Sequence, residues 1–214
     1  MQLPKVIFLD AVGTLFGVKG SVGEVYAEIA YKYGVQVSPE VLNQAFIRNF
    51  KASSPPVFPD AELADIPQCE FDWWKSLAIQ TFQEAGVIQQ FFDFGVFFGE
   101  LYDHFATSQP WVIYPDVLPA LQHWRNLGIQ LGVVSNFDSR LYSVLQSLGL
   151  VEFFDSITIS TQVGTAKPDP EIFTIGLHKH DCTASVAWHI GDSITEDYKG
   201  AKAAGLRGIW INRS

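Results

Sequence analysis

The sequence predicts an α/β protein: a Rossmann-like parallel sheet whose chain is interrupted, after its first strand, by a long helical insertion. Three observations carry that prediction. From Trp111 onward, strand-like and helical stretches alternate, as in βαβ units. Near the start, the apolar run Val6-Ile7-Phe8-Leu9 ends in Asp10-Ala11-Val12-Gly13-Thr14-Leu15, the pattern of a buried strand that stops at a sharp turn. Between them, Ser21 to Ala106 reads as almost entirely helical.

Taken in order, Lys5 to Leu9 is the first strand. Ser38-Pro39-Glu40 starts a helix of the insertion, and the three prolines of Ser53 to Pro59 break it. Phe91, Phe94, Phe98, Tyr102 and Phe105 recur at three- and four-residue steps, a stripe that belongs in a helix-packed core. Pro115 to Leu127 is a helix closed by Gly128, Gln130 to Val134 a strand, and Asp138 to Leu148 a helix with Gly149 at its end. Ser156 to Ser160 is another strand. Asp169-Pro170-Glu171 supplies an N-cap, a first-turn proline and a first-turn acid for a helix running to about His178. Val186 to Ile190 is a strand ending at Gly191-Asp192, Thr195 to Ala204 a helix stopped by Gly205, and Arg207 to Ile211 the last strand. The expected domains are therefore a sheet core of residues 1–16 and 107–214 and a helical cap of residues 17–106, seated over the carboxyl edge of the sheet above Asp10.

At 214 residues the chain can build one α/β domain with an insertion, or two small domains. With 48% hydrophobic and 17% charged residues it is too apolar to be disordered. A formal net charge of −9 without a Lys/Arg cluster argues against a nucleic-acid partner. No cationic segment precedes a long apolar one and no run approaches a membrane span, so a soluble, cytoplasmic protein is expected. Cys69 and Cys182 lack Cys-x-x-Cys spacing and read as free thiols. His178 and His180, two apart on a helix, point in different directions and form no metal pattern. Oligomeric state is left open.

Acidic or polar groups follow the ends of separate strands: Asp10, Ser135-Asn136, Lys167 in a loop, and Asp192 with Asp197 five residues on. Any one of them alone is as well explained as a cap or turn residue. In a parallel sheet, however, those ends converge on one crevice. Carboxylates gathered there repel one another unless a cation lies between them, and hard oxygen ligands select magnesium. With the ion present, Asp10 stays ionised and can act as a nucleophile while Lys167 neutralises charge. Ser135 and Asn136 add hydrogen-bond donors near a helix start, which favours an anion.

Asp10-Ala11-Val12-Gly13-Thr14-Leu15, Ser135-Asn136, Lys167-Pro168-Asp169-Pro170 and Gly191-Asp192-Ser193-Ile194-Thr195-Glu196-Asp197 resemble, in order, the four motifs of the haloacid dehalogenase superfamily. The resemblance spans the chain, with the helical insertion in the place of that family's cap. The Tyr26 to Lys32 helix, Asp72-Trp73-Trp74 and Ser135-Asn136-Phe137-Asp138 further resemble the rhythmically-expressed-gene-two-like branch of its subfamily I. The resemblance implies a magnesium-dependent hydrolase of small phosphorylated molecules in which Asp10 forms an aspartyl-phosphate that water hydrolyses. It implies that Asp10, the main-chain carbonyl of Val12 and Asp192 hold Mg2+, with Asp197 binding or orienting its water ligands. It assigns the phosphoryl oxygens to Ser135, with Asn136, Gly13 and Thr14 beside it, and makes Lys167 the bridge between nucleophile and phosphate.

Val12 departs from the pattern. Phosphatases of the family usually carry Asp two residues after the nucleophile, as acid for the leaving group and base for water. Valine can do neither, and loss of such a group removes about a hundred- to ten-thousand-fold in rate. Three readings stay open: a slow or specialised phosphatase; a dehalogenase, whose halide leaves unprotonated and whose reaction needs no magnesium; and a non-catalytic binding protein that keeps the fold.

Overall fold

The computed structural model describes residues 3–213. The chain forms two compact units: Met1–Gly17, Pro56–Ile66 and Val112–Ser214 make the first, and Val18–Pro55 with Pro67–Trp111 the second. The segment 56–66, which the sequence reading includes in the insertion, thus belongs with the first unit, and Pro59 lies against Gly164.

Strand β1 (Val6–Leu9) is buried along its whole length. A strand covered on both faces has no polar side, which is why it reads as an unbroken apolar run. Each such side chain withdrawn from water contributes about 2 kcal/mol. The short β2 (Phe16–Val18) follows the turn.

The second unit is helical. Helix α1 (Val22–Lys32) begins on Ser21, whose hydroxyl accepts the Glu24 N–H at 3.1 Å. Helix α2 (Pro39–Ala52) begins on Ser38 with Pro39 in its first turn, as the Ser-Pro-Glu signal predicts, and stops where the proline-rich stretch begins. Helices α3 (Ile66–Glu84) and α4 (Phe94–His104), the latter capped by Asp93, complete it. In the core they share, Phe91 and Phe98 of the aromatic stripe are buried and Phe94, Tyr102 and Phe105 pack against them. Phe97, outside the stripe, is also fully buried, because this core surrounds α4 more broadly than a single seam would.

After β3 (Trp111–Ile113), which pairs with β2 in a two-stranded sheet, the chain alternates as expected. It runs through α5 (Val117–Asn126), β4 (Gln130–Ser135), α6 (Arg140–Ser147), β5 (Ser156–Ile159), a single turn α7 (Ser160–Val163), α8 (Pro170–Lys179), β6 (Ala187–Gly191), α9 (Gly200–Ala203) and β7 (Arg207–Trp210). The expected helix over 195–204 is instead a wide π-helical turn, Ile194–Lys199, followed by the one turn of α9. Ser193 O accepts the N–H groups of both Asp197 and Tyr198, each at 3.1 Å, and the widened turn carries Asp197 inward to full burial.

The five-stranded sheet has the order β5-β4-β1-β6-β7, with its strand pairs parallel. Phe8 and Val134 meet Ile172, Phe173 and Leu177 of α8 in the core on one face. Strand order reverses at β1, the switch point where open sheets of this kind bind ligands beyond the carboxyl ends of their strands. Leu9 is level with both Val133 and Ile190, so the residues after β1 emerge between the ends of β4 and β6. Among the described residues no helix is long and apolar enough to cross a membrane, and Cys69 and Cys182 are unbridged.

Candidate functional site

Asp10 leaves the end of β1 almost wholly buried, its own N–H donating to Ile190 O at 3.0 Å. Its Oδ1 accepts two hydrogen bonds, from Ser135 Oγ at 2.9 Å and from Lys167 Nζ at 2.6 Å. Oδ2 accepts none from the described residues. One oxygen is thus held while the other is open, the arrangement that aims a carboxylate.

Lys167 is fully buried, and its Nζ donates equally closely, at 2.6 Å, to Asp197 Oδ1. Burial alone would drive its pKa down. The charges of Asp10 and Asp197 outweigh that cost and hold the ammonium protonated far above its ordinary range. The Lys167 backbone is clamped by Asn136, which accepts from Lys167 N at 2.8 Å and donates through Nδ2 to Lys167 O at 2.9 Å. The Asn136 amide, expected among the phosphate donors, is therefore engaged in placing Lys167.

Asp197 is closed off from water. Its Oδ1 meets Lys167 and also His189 Nε2 at 2.8 Å, and its Oδ2 accepts Ser193 N–H at 2.9 Å. Burial opposes its charge, but Lys167 and His189 hold its carboxyl well below the usual range. Burial lowers the His189 pKa, so the neutral ring donates from Nε2 to the ionised Asp197. Its buried Nδ1 has no partner among the described residues. Phe173 meets the imidazole edge-on at 5.0 Å.

Asp192 opens to solvent on one side. Loss of water on the other, and then the negative charges of Asp10 and Asp197, push its pKa up to about 6. A ligand atom from each of the three aspartates falls within 4.8 Å of the others. Lys167 compensates two of them, and the elevated Asp192 registers the negative charge that remains. Oxygen donors at this spacing fit a hard divalent cation. Glycines make the approach possible. A Cβ on Gly13, whose φ is +89°, would run into the Asp192 carboxylate, and one on Gly191 into that of Asp197.

The structure therefore brings Asp10, Ser135, Lys167, Asp192 and Asp197 together, with Gly13 against Asp192. It gives Gly13 and Thr14 no outward amide: their N–H groups donate to Phe16 O at 2.8 Å and Ala11 O at 3.3 Å, within the loop itself. Among the described residues Thr14 bonds to no member of the cluster, and its buried Oγ1 has no partner. Val12 is half-buried and forms an isolated bridge with Phe16. Sequence reasoning missed His189 and Ser193 as the partners of Asp197. The signal for His189 was present, since a histidine inside the apolar run of β6 must find a buried partner.

Comparison with known proteins agrees with this architecture. A sequence model of the haloacid dehalogenase-like hydrolases matches residues 4–205. The chain is 36% identical over 207 residues to haloacid dehalogenase-like hydrolase domain-containing protein 3 of Bos taurus, covering 97% of this chain and 81% of that protein. It is 30% identical to the Rhythmically expressed gene 2 protein of Drosophila melanogaster, over 97% of this chain and 83% of that one. Over 110 residues, 51% of this chain and 46% of the relative, it is 35% identical to the glyceraldehyde 3-phosphate phosphatase of Methanopyrus kandleri. Among solved structures, the magnesium-bound HAD-hydrolase YfnB of Bacillus subtilis shares the fold at a TM-score of 0.74 and 18% identity, over 99% of this chain and 90% of that one.

Proposed function

The chain belongs to the haloacid dehalogenase-like hydrolases, and from that premise we propose that it is a magnesium-dependent phosphatase of small phosphorylated molecules, working through an aspartyl-phosphate on Asp10. The observation that carries the reading is the two-sided environment of Asp10. Ser135 and Lys167 hold one oxygen, and Asp192 and Asp197 form with it an acidic cluster that calls for a cation. A relative named as a phosphatase supports phosphate-ester chemistry.

In this mechanism Asp10 Oδ2 attacks phosphorus, the bond from phosphorus to the leaving oxygen breaks, and that oxygen departs with the electron pair. Water then attacks the phosphorus of the aspartyl-phosphate, its proton passing to a phosphoryl oxygen, and the bond from phosphorus to Asp10 breaks, releasing inorganic phosphate and restoring the Asp10 carboxylate. Lys167 offsets the charge of Asp10 and of the phosphoryl group, and Ser135, whose one hydroxyl proton bonds Asp10 Oδ1 in the free protein, turns it to a phosphoryl oxygen when substrate binds. Asp10, the Val12 carbonyl and Asp192 are the residues to hold Mg2+, which when bound neutralises the clustered charge. Asp197, engaged by Lys167, His189 and Ser193, orients rather than attacks. On this reading the helical unit is the family's cap. Val12 supplies no proton, so the protein favours substrates whose leaving group departs as a stable anion, such as acyl or activated aryl phosphates.

The test is phosphate release from acetyl phosphate and an aryl phosphate, with magnesium and with chelator, beside halide release from a 2-haloacid. Magnesium-dependent phosphate release that is lost in Asp10→Asn supports the proposal. Chelator-resistant halide release would replace it with a dehalogenase. Magnesium binding without turnover of either would leave a binding protein.

A further inference from the structure

Arg213, after β7, reaches back to the loop that carries the nucleophile. Its Nη2 donates to Thr14 O at 2.7 Å and its Nη1 to Asp116 Oδ1 at 2.5 Å. Its guanidinium also lies over the Tyr114 ring, 4.2 Å from the centroid. Tyr114 is itself joined to the same loop, for its N–H donates to Leu15 O at 3.2 Å. A Cβ on Gly17 would press against the Tyr114 hydroxyl. One cation therefore ties Thr14, Tyr114 and Asp116 together immediately after the Asp10 turn.

Two buried polar atoms of this arrangement, Thr14 Oγ1 and Arg213 Nε, have no partner among the described residues. Both residues line the same small cavity, about 40 Å³, whose other walls include Leu9, Leu15, Leu121 and Ile190. A buried donor or acceptor left unsatisfied loses its hydration without compensation. A cavity needs only about 10–15 Å³ of this kind of volume to hold one water. The hydroxyl can donate or accept and Nε–H can only donate, so a single water can accept from Arg213 and bond to Thr14.

We propose that Arg213 is a positioning residue for the nucleophile loop, holding it from behind through the Thr14 carbonyl and through a buried water shared by Arg213 Nε and Thr14 Oγ1. The effect on turnover rests on the phosphatase reading, whereas the effect on the loop does not. The Thr14 carbonyl sits four residues from Asp10, and Gly13 between them runs so close to Asp192 that a Cβ there would meet its carboxylate. Displacement of this turn shifts Asp10 relative to Ser135 and Lys167 before it disturbs the sheet. A misplacement of about 1 Å can cost on the order of a hundredfold in rate.

The experiment compares wild type with Arg213→Met, which keeps length and removes every donor, and with Arg213→Lys, which keeps charge but has one nitrogen for three tasks. Hydrogen exchange should rise about tenfold or more at the amides of Gly13 to Phe16 in Arg213→Met, with the amides of β4 and β6 unchanged, and less in Arg213→Lys. Turnover of acetyl phosphate should fall about tenfold or more with KM within about twofold, and added guanidinium ion should restore part of it. A high-resolution crystal structure of the wild-type protein should contain the bridging water. Wild-type exchange at the loop in both variants would overturn the positioning role, and a dry cavity would overturn the water. If Arg213→Met does not fold, Asp116→Asn, which loosens the arginine without removing it, must raise loop exchange or the proposal fails. An inactive wild-type protein with the loop effect intact would count against the phosphatase reading alone.

Discussion

Replacing Lys167 with methionine removes a buried cation that faces two carboxylates at once. The ammonium lies 2.6 Å from both Asp10 and Asp197, and all three side chains are nearly or wholly buried. Methionine fills similar space without charge, leaving Asp10, Asp192 and Asp197 within 4.8 Å of one another. Breaking a buried pair by deleting one partner costs about 3–5 kcal/mol. Asp10 keeps Ser135, and Asp197 keeps His189 and Ser193, which draws the expected loss toward about 3 kcal/mol.

The loss should depend on pH in a definite direction. In the wild type Asp197 is held well below the ordinary carboxylate range, against the opposing effect of burial, by Lys167 and His189. Its contribution is present above the unfolded value of about 3.9 and disappears only as pH falls through the folded value. Without Lys167 the folded value rises, protons relieve the repulsion, and the gap between variant and wild type narrows on acidification. Magnesium should narrow it as well, because the cluster that has lost its lysine attracts the cation more strongly and gains more native-state stability from it. Urea unfolding of both proteins at pH 7.5 and pH 5, with magnesium and with chelator, measures all three effects. Equal midpoints at pH 7.5, or a deficit that neither acid nor magnesium reduces, would refute the electrostatic account of the cluster.

Two other outcomes follow from particular residues. Val12 is half-buried, so Val12→Asp should be accommodated and should supply the missing proton donor; kcat/KM for alkyl phosphates, which reports the transfer to Asp10, should rise about tenfold or more while that for acetyl phosphate changes little, and equal effects on both would sink the missing-acid explanation. His180, 2.6 Å from Ser156 Oγ, has its pKa lowered by burial, so its neutral form contributes stability above the unfolded value of about 6.5 that is lost as pH falls. Between pH 7.5 and 5.5 the urea midpoint should therefore fall less in His180→Gln than in the wild type; parallel decreases would show that His180 is not the titrating group.

Much of the fold was legible because its signals are local. Ser38-Pro39 and Asp169-Pro170 announce helix starts through caps that depend on neighbouring residues only, and both helices begin there. The continuous apolar run of β1 marks a strand covered on both faces. Asp10, Ser135 and Asp192 could be placed together because each lies at the carboxyl end of a parallel strand. What escaped depends on contacts distant in sequence or on elements too short for a pattern. The strands Phe16–Val18 and Trp111–Ile113 have three residues each and show no periodicity. The π turn exists because Asp197 must reach Lys167 and His189, a demand that no local propensity contains. Asn136 reads as a free donor until its clamp on Lys167, 31 residues away, is seen. The Gly13 and Thr14 amides are taken by a turn whose hydrogen bonds the motif does not spell out.

The central claim is that Asp10 carries the phosphoryl group in turnover. Rapid quenching of the protein with acetyl phosphate and magnesium, followed by borohydride reduction and peptide mass spectrometry, tests it directly, because an acyl phosphate is reduced to an alcohol whereas a free carboxylate is not. The account predicts that residue 10 is recovered as homoserine in a magnesium-dependent fraction that disappears in Asp10→Asn. Turnover of acetyl phosphate with residue 10 always recovered as unmodified aspartate, or with the modification at another acid, would contradict it.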